Sequence, residues 1–206
     1  MKLISDESKR IKHLQNDIDI DIFRFESKYK NELEILILSY YADLLQRSDL
    51  PYPVYFEKRN NQDPPDFNIY DSNRSFMKLV EVTESMKPNR RRQKEYWANN
   101  VSIKNEYNKS NLDSLLNILK KKILAQYSNT DLIIWINIDI LDLASCGVWH
   151  RIIINSIKTW INERKLNFDS CTYDNVFVID SKSERLLKIF PDFDLIYTPI
   201  NIERNF

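Results

Sequence analysis

Asp63-Pro64-Pro65-Asp66-Phe67-Asn68-Ile69-Tyr70, then a polar turn, then Phe76-Met77-Lys78-Leu79-Val80-Glu81-Val82-Thr83-Glu84 is the stretch that decides how the chain is read. Two consecutive prolines force the backbone before Asp66 into an extended turn, and the apolar residues on either side of Glu81 predict a short, largely buried strand. An ionised side chain in an apolar setting is costly unless it is paired or bound to a metal. Glu81 therefore needs a partner, and Asp66 is the nearest candidate to share one.

Working outward, Asp71-Ser72-Asn73-Arg74 has the composition of a tight turn joining the two strands. Upstream, Pro51 and Pro53 end a helical region and lead into Val54-Tyr55-Phe56, which makes the stretch the second and third strands of a meander. From Phe25 to Arg47 the spacing is helical, with Leu33, Leu36, Ile37, Tyr40, Tyr41, Leu44 and Leu45 as a broad apolar stripe. Glu32 and Glu34 fall in its first turns, where acidic residues favour the helix dipole; the sharper alternative is that one of them reaches toward Asp66. Asp17-Ile18-Asp19-Ile20-Asp21-Ile22 alternates like a strand with one dry face, and its carboxylates read as a solvated face, because calcium loops turn sharply. Residues 1 to 16 read as a short polar helix or arm.

Downstream, residues 87 to 110 are strongly basic and carry Arg90, Arg91, Arg92, Lys94, Tyr96 and Trp97. Such a run is commonly a solvated face, but cations interleaved with aromatics also suit a phosphate backbone and unstacked bases. Leu112 to Tyr127 is helical, with Leu112, Leu115, Leu116, Leu119 and Ile123 on one face and Lys122 and Gln126 on its flank. A lysine there can lay its stem along the core and present its ammonium at the edge. The apolar run from Leu132 to Ile138 predicts a central strand covered on both faces. A further helix from about Trp149 to Glu163 and two short strands, Val176 to Ile179 and Leu195 to Tyr197, complete the order, and His150 reads as a surface or capping residue.

The whole reads as one domain over residues 1–206, with a core at 30–140, an N-terminal arm at 1–25, the basic insertion at 87–110 and a C-terminal helix and strands at 147–206. Formal net charge is zero, so affinity for a polyanion has to come from local patches. The two cysteines, Cys146 and Cys171, have no metal or redox spacing and read as small buried hydrophobes in a reducing compartment. A single glycine, Gly147, excludes Gly-rich phosphate loops and with them a nucleotide cofactor of that type. The charged first residues predict no secretory signal and no apolar run reaches the roughly 20 residues that span a bilayer; a cytoplasmic protein without membrane partners is expected.

Asp66 and Glu81, brought together by an antiparallel pair, suit a hard ion that binds through one or two carboxylates and keeps several waters. Pro65-Asp66, the polar turn and Leu79-Val80-Glu81-Val82-Thr83, set in this order of elements, resemble the PD-(D/E)XK nuclease superfamily, the restriction-endonuclease-like fold, in the members whose third motif reads E-x-T. The resemblance covers roughly residues 30 to 140 and implies an α/β fold with an α-β-β-β-α-β core, a mixed central sheet flanked by helices. It implies hydrolysis of phosphodiester bonds with Mg²⁺ or Mn²⁺ as cofactor, held by Asp66 and Glu81. Thr83 stands where the family has a lysine, and a hydroxyl supplies no positive charge; relatives draw that lysine from the following helix, where Lys122 is placed to replace it. Gln126 is similar to polar helix residues that support the site in relatives, and Glu34 is preferred over Glu32 as the glutamate of the first helix. Nucleic acid, DNA ahead of RNA, is the implied partner, contacted by residues 90 to 97, and pairing of two copies is suggested by relatives that cut both strands. The alternatives are a nuclease-fold module that binds nucleic acid or protein without catalysis, and a purely structural role in which Glu81 is tied by a buried cation such as Lys122.

Overall fold

The computed structural model describes residues 1–18, 27–59, 64–85, 115, 117–125, 127–136, 159, 162, 168–180 and 185–197. The chain opens with strand β1 (Lys2–Leu3) and helix α1 (Ile4–Asn16), followed, after a 3₁₀ turn at Ser27–Tyr29, by helix α2 (Lys30–Arg47). Three strands come next, β2 (Tyr55–Lys58), β3 (Phe67–Tyr70) and β4 (Phe76–Ser85). Residues 117–123 are helical and are labelled α3. Strand β5 (Thr130–Ile136) follows, then β6 (Asn175–Asp180), β7 (Arg185–Phe190) and β8 (Asp194–Tyr197).

All eight strands form one mixed sheet in which spatial order is chain order, β1 to β8. The central strands β4, β5 and β6 are parallel, and every other neighbouring pair is antiparallel. Helices cover both faces. On one, α1 and α2 bring Ile4, Ile11, Leu33, Leu36, Ile37 and Leu38 onto Val80, Val82, Ile133 and Phe177. On the other, Leu115, Leu119 and Ile123 pack on Leu132, Ile134, Val176 and Val178. That double cover explains why β5 is apolar on consecutive residues: its alternate side chains enter two different cores. It is the middle of the sheet, as its composition predicts.

The expected meander is present as β2, β3 and β4, and the turn between the last two is built by Asp71, whose Oδ1 accepts from the N–H groups of Asn73 and Ser75, both at 2.8 Å. Two differences concern the N-terminus. Asp17 and Ile18 are not the start of a strand: α1 runs on to Asn16 and Asp17 caps it, its N–H donating to the Leu14 carbonyl, because Ile11 and Leu14 keep the helix packed on the core to its last turn. Residues 19 to 26 lie outside the described set. Strand β1 was not foreseen; it precedes α1 and pairs with β2. A third difference is β7, which the late strands were expected to lack. The helix expected at 149–163 falls, but for residues 159 and 162, outside the described residues, as does Cys146. Cys171 is half-buried and unbridged, and burial pushes its thiol pKa up. Among the described residues no helix is long and apolar enough to cross a membrane.

Candidate active site

A difference in strand length creates the site. β4 has ten residues and β3 only four, so the edge of β4 that faces β3 loses its strand partner after Val80. Asp66, just before β3, takes over there. Its backbone N–H donates to the Val80 carbonyl at 2.9 Å, and its side-chain Oδ2 accepts from the Val82 N–H at 2.8 Å, which the ladder would otherwise leave unpaired. The chain that would have continued β3 is turned away at Pro64 and Pro65, and a cavity of about 250 Å³ opens beside β4.

Lys30, Leu33, Glu34 and Ile37 of α2 line this cavity, together with Pro64 and Asp66, Glu81 to Glu84 of β4, and Lys122 of α3. Glu34, Asp66, Glu81, Thr83 and Lys122, each predicted from sequence as a member of one site, are thus neighbours in space. Gln126 and the basic group Arg90, Arg91, Arg92, Lys94, Tyr96 and Trp97 lie outside the described residues. Glu32 is in the first turn of α2 and is not among the lining residues.

Each carboxylate has a different environment. Glu81 is 1 % exposed, and both its oxygens are engaged: Oε1 is ion-paired with the Lys122 ammonium and Oε2 accepts from the Tyr173 hydroxyl. Burial, and then the bond to Glu81, hold the Tyr173 hydroxyl far above the ordinary phenol range, so it stays a donor. Glu34 is paired with Lys58 at 3.0 Å and with Lys30, one turn earlier, at 3.5 Å. Lys58 also donates to Asn31. Among the described residues Asp66 has no ion pair of its own. Its pKa is raised first by burial and further by the negative charges of Glu34 and Glu81; the Val82 N–H and the more distant Lys58 oppose this without cancelling it.

Sequence reasoning missed Tyr173, Lys58 and Lys30. Lys30 stands one turn before Glu34 and was open to helical spacing. Lys58 ends a strand whose register only the sheet defines. Tyr173 is separated from Glu81 by 92 positions and reaches it through two strand pairings that no local pattern encodes.

Among the described residues no three His, Cys, Asp or Glu side chains are grouped to hold a metal. The carboxylates that line the cavity are Glu34, Asp66, Glu81 and Glu84, with Glu34 engaged by lysines. That set fits a hard divalent ion of the magnesium type, which takes one or two protein carboxylates and completes its shell with water. It does not suit a soft ion, which would ask for Cys or His. Glu81 can contribute Oε1 only if Lys122 yields it. Scans of family models, curated proteins and solved structures return no match to this chain.

Proposed function

We propose that the chain is a metal-dependent nuclease with a restriction-endonuclease-like core. The observation that carries this is the convergence of Glu34, Asp66, Glu81, Thr83 and Lys122 on one cavity at the point where β3 stops and β4 continues. The order α2, β2, β3, β4, α3, β5 supports the same core.

Asp66 and Glu81 would hold Mg²⁺ or Mn²⁺, which when bound lowers the pKa of a coordinated water and neutralises charge developing on a phosphodiester oxygen. The protein's own contribution is positional. Asp66 is fixed by its bond to the Val82 N–H, and Glu81, a residue of β4, by the Tyr173 hydroxyl, so β4 ties the positions of both carboxylates. Lys122 presents a positive charge at the cavity from a helix, supplying what Thr83 cannot from the strand; the Thr83 hydroxyl is left to orient water. Glu34, held by Lys30 and Lys58, adds negative charge that favours a cation next to Asp66. Residues 90 to 97 would contact the phosphate backbone of DNA, or of RNA.

Cleavage of a panel of DNA and RNA substrates with Mg²⁺ or Mn²⁺ tests the reading. Asp66→Ala is expected to lower the rate at least about 100-fold, since a metal ion contributes several kcal/mol to such a transition state; equal residual activity in wild type and variant removes the proposal. A second reading, a nuclease-fold module that binds nucleic acid or protein without catalysis, is favoured by one observation, the engagement of both Glu81 oxygens by Lys122 and Tyr173. Calorimetric titration with Mn²⁺ separates the two: no heat of binding on the wild-type protein favours the module.

A further inference from the structure

Glu81 and Asp66 share a cavity but not a state of charge compensation. Among the described residues, Glu81 has a cation on Oε1 and a buried donor on Oε2, whereas Asp66 has a single backbone donor to its side chain and two like charges near it. The cation on Glu81 is not fixed by burial. The Lys122 side chain is 26 % exposed and comes from the flank of α3, with its apolar neighbours Leu119 and Ile123 anchored in the core. Four rotatable carbons let its ammonium swing from Glu81 into the cavity that it lines, without any shift of the helix.

A carboxylate oxygen in a nearly water-free setting cannot serve an ammonium and a divalent ion together, because the two cations repel most strongly where the dielectric is low. Removing the ammonium with no replacement would leave Glu81 as an uncompensated buried charge. A cation, one or the other, is what compensates the charge of this carboxylate. We propose that Lys122 is a built-in competitor for the cation site: its ammonium neutralises Glu81 in the metal-free protein and yields Oε1 on divalent-cation binding, after which it faces the cavity as the positive group available to a substrate phosphate. This rests on Asp66 and Glu81 being the cation's ligands. It adds that the site keeps itself folded when empty, and that metal affinity is set partly by the lysine being displaced.

The test is Mn²⁺ calorimetry on the wild type and Lys122→Met, which keeps the length and apolar stem but not the charge, together with thermal melts in chelator and in saturating Mn²⁺. Lys122→Met should bind Mn²⁺ at least about tenfold more tightly, a modest share of the repulsion between charges a few ångströms apart at intermediate dielectric. In chelator it should melt below wild type, and Mn²⁺ should raise its midpoint by more than it raises that of wild type. Equal or weaker binding by the variant, with wild type binding normally, overturns the competition and leaves the metal reading standing. Binding by Lys122→Met alone upholds the competition and overturns the view that wild type is active with metal. Absence of binding by both, each giving a cooperative melt, overturns both ideas. If the variant does not fold, the wild type still decides. The Lys122 ammonium, observed by NMR with ¹⁵N-labelled lysine, should lose its protection from solvent as diamagnetic Mg²⁺ is added, and an unchanged signal at calorimetric saturation overturns the proposal.

Discussion

At the scale of the residue, Asp66 does two things that pull in opposite directions. Its Oδ2 repairs a broken ladder by accepting from Val82, which favours the carboxylate, while burial and the charges of Glu34 and Glu81 disfavour it, and the second group of effects is the larger. The folded-state pKa lies above the unfolded one, so the folded protein binds more protons in the window between them, and stability falls as pH rises through that window. Asp66→Asn keeps an acceptor for the Val82 N–H and removes the charge. Without metal, the variant should match wild type near pH 3 and exceed it in urea midpoint once pH has passed Asp66's raised value; a difference that stays flat from pH 3 to 8 would show that Asp66 carries no such strain. The same residue illustrates what the sequence allowed. Asp66, Glu81 and Lys122 were readable because each breaks a local pattern: an acid after two prolines, an acid inside an apolar strand, a lysine on the flank of an apolar helix face. Tyr173 breaks none, since a tyrosine in a half-apolar stretch is ordinary, and its importance comes only from the partner it meets.

At the scale of elements, a second buried carboxylate explains how α2 is held over the sheet. Asp131 of β5 accepts from Tyr41 of α2 at 3.0 Å, from Lys78 of β4 at 3.0 Å and from Asn175 of β6 at 2.8 Å. Burial raises its pKa more than these partners lower it, so the tie owes its strength to geometry and full satisfaction of the carboxylate. One side chain thus binds a helix to three adjacent parallel strands. Asp131→Ala orphans the Tyr41 hydroxyl and unbalances Lys78, and is expected to cost about 3 to 5 kcal/mol in urea unfolding, while leaving Mn²⁺ binding unchanged in the molecules that remain folded. A loss below about 1 kcal/mol, the size of a single ordinary hydrogen bond, would mean that apolar packing alone holds α2. This tie also rigidifies the element that carries Lys30 and Glu34 to the cavity.

For the whole molecule, burial is graded from the centre of the sheet outward. Leu132, Ile133 and Ile134 of β5 are fully buried between two cores, whereas among the described residues β1 and β8 have one strand neighbour each. Amide hydrogen exchange should follow: β5 slowest, approaching the global unfolding free energy, and β8 and β1 faster by orders of magnitude. Protection of β8 equal to that of β5 would indicate an edge covered in solution. The elements that the sequence made legible are those with a strong period or a continuous apolar run, α2, β4 and β5. β1 is two residues long and β7 begins on a buried arginine and carries Lys188 inside an apolar run, so neither displays a clean alternation. The repeat of Asp and Ile after residue 16 has the period of a strand, yet its first residues belong to the end of α1, because a helix already packed through Ile11 and Leu14 outweighs a pattern of six residues.

That the strands lie in the sheet in the order in which they occur in the chain bears on how the protein is made. On the ribosome each strand can be added to an edge already in place, and none has to be inserted between neighbours. Asp66, Glu34 and Glu81 are synthesised early, but Tyr173 follows Glu81 by 92 residues, a delay of roughly 5 to 18 s at usual elongation rates. Late in that interval the chain already holds Lys122, the partner of Glu81 Oε1, but not yet Tyr173, the donor to Oε2. The buried Glu81 thus gains its second partner only when Tyr173, two residues ahead of β6, has been made, so that the full set of bonds on this carboxylate is a late event in biosynthesis.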